Sequence, residues 1–179
     1  MKWILAAGLF AVSTAANADV VSANPNGLHV RETVQLVVPP AVAFDAFTRI
    51  GDWWNKDHTY SGDSANLSLA LSPGGCFCER FPSGGGIEHM RVTFLDPGKR
   101  LLMTGPLGPL LYQATTGVMD VTVERIAGGS KVTLDYRAAG FAEGGADKLA
   151  AVVDGVLADQ MRRYRTYARS RPQAQELKP

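Results

Sequence analysis

The run Ala146–Ser170, ADKLAAVVDGVLADQMRRYRTYARS, is the longest stretch of helix formers in the chain, and Gly144-Gly145 precede it. At 100° per residue, Leu149, Val153, Val156, Leu157, Gln160, Tyr164 and Tyr167 fall on one stripe. Arg162, Arg163, Arg165 and Arg169 lie mostly elsewhere, and several suit the negative end of a helix. The spacing predicts one long amphipathic helix whose apolar stripe needs a sheet to cover it. Gln160 stands in the middle of that stripe, where an unpaired amide would cost a few kcal/mol, roughly. It must therefore meet a sheet residue, a trapped water or a ligand.

Upstream, the period changes from helical to alternating. Lys131–Ala138 sets Val132, Leu134 and Tyr136 against Thr133, Asp135 and Arg137, and Gly117–Ile126 sets Met119, Val121 and Val123 against Asp120, Thr122 and Glu124. Such alternation predicts strands with one buried face. Further strands are expected at Arg100–Thr104, Ile87–Leu95, Cys76–Phe81 and Leu67–Leu71, separated by Asp96-Pro97-Gly98, Ser83–Gly86 and Pro73-Gly74-Gly75. Leu28–Val38 reads as the first strand. Pro39-Pro40 ends it and opens a short helix, Ala41–Ile50, with Ala43, Phe44, Phe47 and Ile50 near one face. The expected fold is α+β: a curved antiparallel sheet wrapped around a long C-terminal helix, with short helices after the first strand. A gap between sheet and helix is where function is expected.

At the other end, Lys2, the apolar run Trp3–Val12 and Ala16-Asn17-Ala18 have the layout of a secretory signal cleaved after Ala18. The apolar run is about half the roughly 20 residues a membrane span needs. Removing 18 residues from 179 leaves 161, enough for one domain with a real core. The expected division is a signal at 1–18, a loose leader at 19–27, one domain at 28–170 and a flexible tail at 171–179. Lys2 is the only charge in the signal, so the formal charge falls from +1 to 0. Neutrality without a basic run argues against nucleic acid and anionic membrane as partners. Export predicts a periplasmic or secreted product with no integral membrane association.

The stretches PPAVAFDAFTRIGDWW (39–54), SPGGCFCERF (72–81) and HMRVTFLDPGKRLLMTG (89–105), together with the long C-terminal helix, resemble the SRPBCC superfamily, also called START-like or birch-pollen-allergen-like. Within it, the chain is most similar to bacterial members labelled activator of heat-shock-protein ATPase homologues or polyketide-cyclase-like. The resemblance implies a helix-grip fold with a hydrophobic cavity. It leaves activity open, because the superfamily includes lipid carriers, cyclases, hydroxylase modules and co-chaperones.

Several residues in this frame can carry chemistry. Glu79 shares a strand face with Phe77 and Phe81, and in a greasy pocket it would have a raised pKa and act as general acid or base. On a sheet edge it would instead pair with a surface cation. His58, in the loop after Trp53-Trp54, would help a water-activating His–carboxylate pair. His58 and His89 with Glu79 or Glu88 would make a metal site, but no HxxH or CxxC spacing supports one. No metal or other cofactor is expected. Cys76 and Cys78 are expected as two free, packed thiols, with a strained bridge or two metal ligands as alternatives. No GxSxG elbow or phosphate loop is present. Gly105–Tyr112 (GPLGPLLY) is an apolar connection expected to form a lip over the cavity or to pack on Trp53 and Trp54. Trp53, Trp54, Tyr60, Phe77, Phe81, Leu110, Val153, Val156, Gln160 and Tyr164 are the expected ligand contacts. The ligand would be a small hydrophobic or amphipathic molecule. The rivals are a cavity enzyme (cyclase, dehydratase or hydrolase) using Glu79 or His58, and a protein-interaction module.

Overall fold

In the computed structural model, which describes residues 17–171, the alternating segments pair as their buried faces require. Thr115–Ile126 (β7) and Gly129–Gly140 (β8) run antiparallel with Met119 opposite Tyr136, Val121 opposite Leu134 and Val123 opposite Val132. All six side chains are buried, so each apolar residue on the inner face meets another across the ladder. Arg100–Thr104 (β6) continues the rows, pairing Met103 with Met119 and Leu101 with Val121. A one-residue slip would turn this whole set to solvent, so the pattern specifies the register.

The remaining strands are Asn17–Asn24 (β1), Gly27–Leu36 (β2), Leu67–Leu69 (β3), Cys76–Arg80 (β4) and Gly86–Asp96 (β5). The sheet has eight strands in the order β1-β2-β8-β7-β6-β5-β4-β3, and every neighbouring pair is antiparallel. Strands β3 to β8 form a meander. β2 closes onto β8, and the helix Pro40–Thr48 (α1) lies on the crossing from β2 to β3.

The segment expected as a loose leader is instead β1, an edge strand paired with β2. Its turn residues, Asn24-Pro25-Asn26-Gly27, close a hairpin with Asn24 opposite Gly27. The signal proposed for residues 1–18 lies almost wholly outside the described residues, as does the tail beyond Arg171. Among the described residues, no helix is long and apolar enough to cross a membrane.

The long helix spans Asp147–Ser170 (α2) and packs on β2, β1 and α1. It buries Ala150, Leu157, Gln160, Met161, Tyr164 and Ala168. Its start is tied to the β1–β2 turn, where Ala146 donates its N–H to the Pro25 carbonyl at 3.0 Å. The predicted stripe is thus split. Its C-terminal half enters the core, while Leu149, Val153 and Val156 near its start are only partly covered and face a gap against the sheet. On α1, Pro40 stands at the helix start, and Ala43, Phe44 and Phe47 reach the core with Ile50 of the following turn.

Candidate functional site

The gap is a cavity of about 360 Å³ between the first half of α2 and the inner face of the sheet. Val153, Val156 and Leu157 form its helix wall, Phe77, His89 and Tyr136 its sheet wall, and Leu107–Leu110 one side. Tyr136 fits because residue 117 is glycine: a Cβ there would lie 2.7 Å from the Tyr136 hydroxyl. That hydroxyl accepts the Leu107 N–H at 3.3 Å, and burial pushes its pKa up to about 12.

The apolar connection lines one side of the cavity through Leu107, Gly108, Pro109 and Leu110. Gly108–Gln113 is a 3-10 turn that buries Leu110 at the cavity and leaves Tyr112 73% exposed. Thr115 donates its hydroxyl to the Leu110 carbonyl at 3.0 Å. Across the mouth, the Tyr60 and Tyr112 rings meet edge-on with centroids 6.4 Å apart.

A β-bulge places the least expected group in the wall. Phe77 pairs with Met90 but Cys78 pairs with Glu88, so His89 is one residue too many on β5. His89 and Met90 are consecutive in sequence, yet both are buried. Regular alternation forbids that; a bulge re-aims a side chain in this way. The imidazole sits by Phe77, with centroids 5.0 Å apart, and by Tyr60, at 5.9 Å.

There it meets Glu79. Glu79 Oε2 lies 3.1 Å from His89 Nε2 and accepts the Tyr60 N–H at 3.1 Å, while Oε1 accepts the Ser61 N–H at 2.5 Å. Burial acts to raise the Glu79 pKa, but the bonds from Ser61, Tyr60 and His89 outweigh it and hold the carboxyl below the ordinary glutamate value. The raised pKa expected from the sequence is therefore corrected: Glu79 is buried but fully hydrogen-bonded, and it stays ionised. Burial pulls His89 below its ordinary value, against the pull of Glu79. The neutral ring gives its one proton, on Nε2, to the carboxylate. Nδ1 is left as a buried acceptor with no partner.

Gln160 ties the loop of Asn55 and His58 to α2. Its Oε1 accepts the Asn55 N–H at 2.8 Å, and its Nε2 donates to His58 Nδ1 at 2.9 Å. Asn55 also donates from Nδ2 to Asp159 at 2.8 Å, and Trp54 Nε1 donates to the His58 carbonyl at 3.1 Å. The loop that carries His58 is thereby pinned to α2.

Of the residues expected from sequence, Trp54, His58, Tyr60, Phe77, Leu110, Val153 and Val156 line the cavity. Trp53 and Tyr164 are core: Trp53 Nε1 donates to the Ala46 and Phe47 carbonyls, and the Tyr164 hydroxyl to the Ala43 carbonyl. Glu79 and Gln160 act behind the wall, and Phe81 packs near Tyr60 outside it. Tyr136, Leu149 and Leu157 also line the cavity, beyond the contacts expected from sequence, although strand and helix periodicity put all three on inner faces.

Cys76 and Cys78 are not free thiols. They form a disulfide with Cα atoms 5.3 Å apart. Extended residues two apart lie about 6.6 Å from each other, near the upper limit of disulfide reach, and β4 is locally contracted so that this pair lies at 5.3 Å. The two sulfurs and Glu88 lie close enough to hold an ion. However, the sulfurs are bonded to each other and Glu88 pairs with Arg91.

No protein-family model matches the chain, and no curated protein matches it. Solved structures do. An uncharacterised protein from Rhizobium leguminosarum aligns with a TM-score of 0.58 at 16% identity, covering 87% of this chain and 98% of that one. A protein from Chromobacterium violaceum aligns at 0.56 and 14% identity over 80% and 98%. A protein in the dynemicin biosynthetic locus aligns at 0.56 and 19% identity, over 79% of this chain and 47% of that one. The likeness is one of fold. It is consistent with an antiparallel sheet carrying a long C-terminal helix.

Proposed function

We propose that this chain is an exported protein of SRPBCC type that binds a small hydrophobic or amphipathic molecule in the cavity between the sheet and α2. The observation that carries the reading is the cavity itself: about 360 Å³, walled by Phe77, Leu107, Leu110, Tyr136, Val153 and Val156, with polar groups at few places. Mostly apolar walls with a few placed polar groups are the usual design of a small-molecule site. The secretory layout of residues 1–18 supports export. The Cys76–Cys78 bond supports it too, since disulfides persist in oxidising compartments.

The test is uptake of N-phenyl-1-naphthylamine, whose fluorescence rises in apolar surroundings. Saturable uptake is expected for the native protein and at least tenfold weaker uptake for Val153→Trp, which fills the cavity from α2. Equal uptake by both would place the dye elsewhere and remove the support for the cavity.

A second reading, a cavity enzyme, is favoured by one observation: the buried Glu79–His89 pair at the wall. In that reading His89 is the base and Glu79 holds its ring, rather than Glu79 or His58 taking the proton.

A further inference from the structure

The Cys76–Cys78 disulfide brackets a residue of the cavity wall. Phe77 stands between the two cysteines, and its ring meets those of Trp54 and His89, with centroids 5.8 and 5.0 Å away. All three line the cavity. The bridge also goes with a shortened β4: its Cα atoms lie 5.3 Å apart, where an extended strand would separate them by about 6.6 Å. Just beyond Cys78, the Glu79 carboxylate is held by the Tyr60 and Ser61 N–H groups.

We propose that the Cys76–Cys78 bridge is a redox switch for the cavity: the oxidised form holds Phe77 in the wall and binds the ligand, and reduction by a dithiol weakens that binding. The inference rests on the cavity reading above and adds its regulation.

The two faces of β4 separate the two events. Phe77 and Glu79 are buried on the inner face, while Cys76 and Cys78 are half-buried on the opposite one. A reductant therefore approaches from the side away from the cavity. One thiolate of the dithiol attacks the Cys78 sulfur to form a mixed disulfide, and the Cys76–Cys78 bond breaks with its electron pair on Cys76. Arg91, opposite Cys76 in the ladder, favours that thiolate, and it also neutralises Glu88 beside the sulfurs. The second thiolate of the dithiol then displaces Cys78 and closes its own disulfide. Two electrons and two protons pass to the protein, which ends with two thiols. Freed of the bond, β4 relaxes toward the extended spacing. Its Glu79 end is fixed, so the change falls on Phe77 and its contacts with Trp54 and His89. By linkage, a ligand that prefers the oxidised form protects the bridge by the same factor.

The experiment measures uptake of N-phenyl-1-naphthylamine before and after reduction with dithiothreitol, with circular dichroism to check the fold. About tenfold weaker uptake is expected after reduction. The double variant Cys76→Ser, Cys78→Ser should bind as the reduced protein does and ignore dithiothreitol. In dithiothreitol redox buffers, saturating dye should lower the midpoint potential of the pair by about 30 mV, the two-electron equivalent of that tenfold. Equal uptake by the oxidised and reduced protein would overturn the switch and leave the cavity reading intact. An equal effect of dithiothreitol on the double variant would overturn it too. So would loss of the fold on reduction, which would make the bridge a structural staple. No uptake by the oxidised protein would sink the cavity reading, and the switch with it.

Discussion

Gln160 accepts the backbone N–H of Asn55 at 2.8 Å, across 105 residues of chain, and the same amide holds His58 through its other end. The long helix thus fixes the loop at the cavity edge through one side chain. Gln160→Leu fits the apolar stripe but strands the buried Asn55 N–H. A loss of about 1–3 kcal/mol is expected in urea unfolding. Faster hydrogen exchange should appear at Asn55 to Tyr60, with the core strands β7 and β8 unaffected. Unchanged stability would show that the amide is not the tether.

Glu32 predicts an alkaline weakness. It is fully buried on β2, and burial together with the neighbouring Asp154 carboxylate pushes its pKa from 4.5 to about 8. Between those values the unfolded chain has lost the proton that the native state keeps. Stability should therefore fall as pH rises from about 4.5 to about 8, by on the order of 1 kcal/mol per pH unit, and level off above. His89 works the other way: its lowered pKa means that the unfolded chain binds a proton first, so its contribution is lost as pH falls below about 6.5. The Glu32→Gln variant isolates the first effect. The difference in unfolding free energy between variant and parent should grow from pH 5 to pH 8, and a flat difference would refute the assignment.

The Cys76–Cys78 bond closes a very short loop, so it constrains the unfolded chain little. Reduction, or the double change Cys76→Ser and Cys78→Ser, should cost about 1.5 kcal/mol or less. Intact mass should rise by two hydrogens on reduction. A larger loss of stability would mean that the bridge holds the bulge at His89 in place.

Ala114 follows the Gly108–Gln113 turn with φ at 51°, the only left-handed residue other than glycine among those described. Replacing it with glycine removes the Cβ strain of about 1–2 kcal/mol at a small entropic cost. Ala114→Gly should be neutral or up to about 1 kcal/mol more stable by thermal unfolding, and a clear loss would mean that the methyl packs usefully.

The helix stripe and the strand alternation were enough to place α2, most of the sheet and about half of the cavity wall, because burial on one face leaves a periodic mark. What escaped had no such mark. β1 was hidden because its residues are largely exposed at the sheet edge. His89 escaped because alternation from Met90 and Val92 would turn it outward, and a bulge is a matter of register between two strands. Trp53 and Tyr164 share the aromatic character of true wall residues, and only packing separates them. The disulfide likewise depended on a local contraction of β4 that spacing alone does not reveal.

Whether the cavity holds a ligand is read by native mass spectrometry of the protein purified gently from its own cells. A discrete extra mass that leaves on denaturation, and that is absent from Val153→Trp, is the predicted result. A bare polypeptide mass in both proteins, with no uptake of N-phenyl-1-naphthylamine, would contradict it.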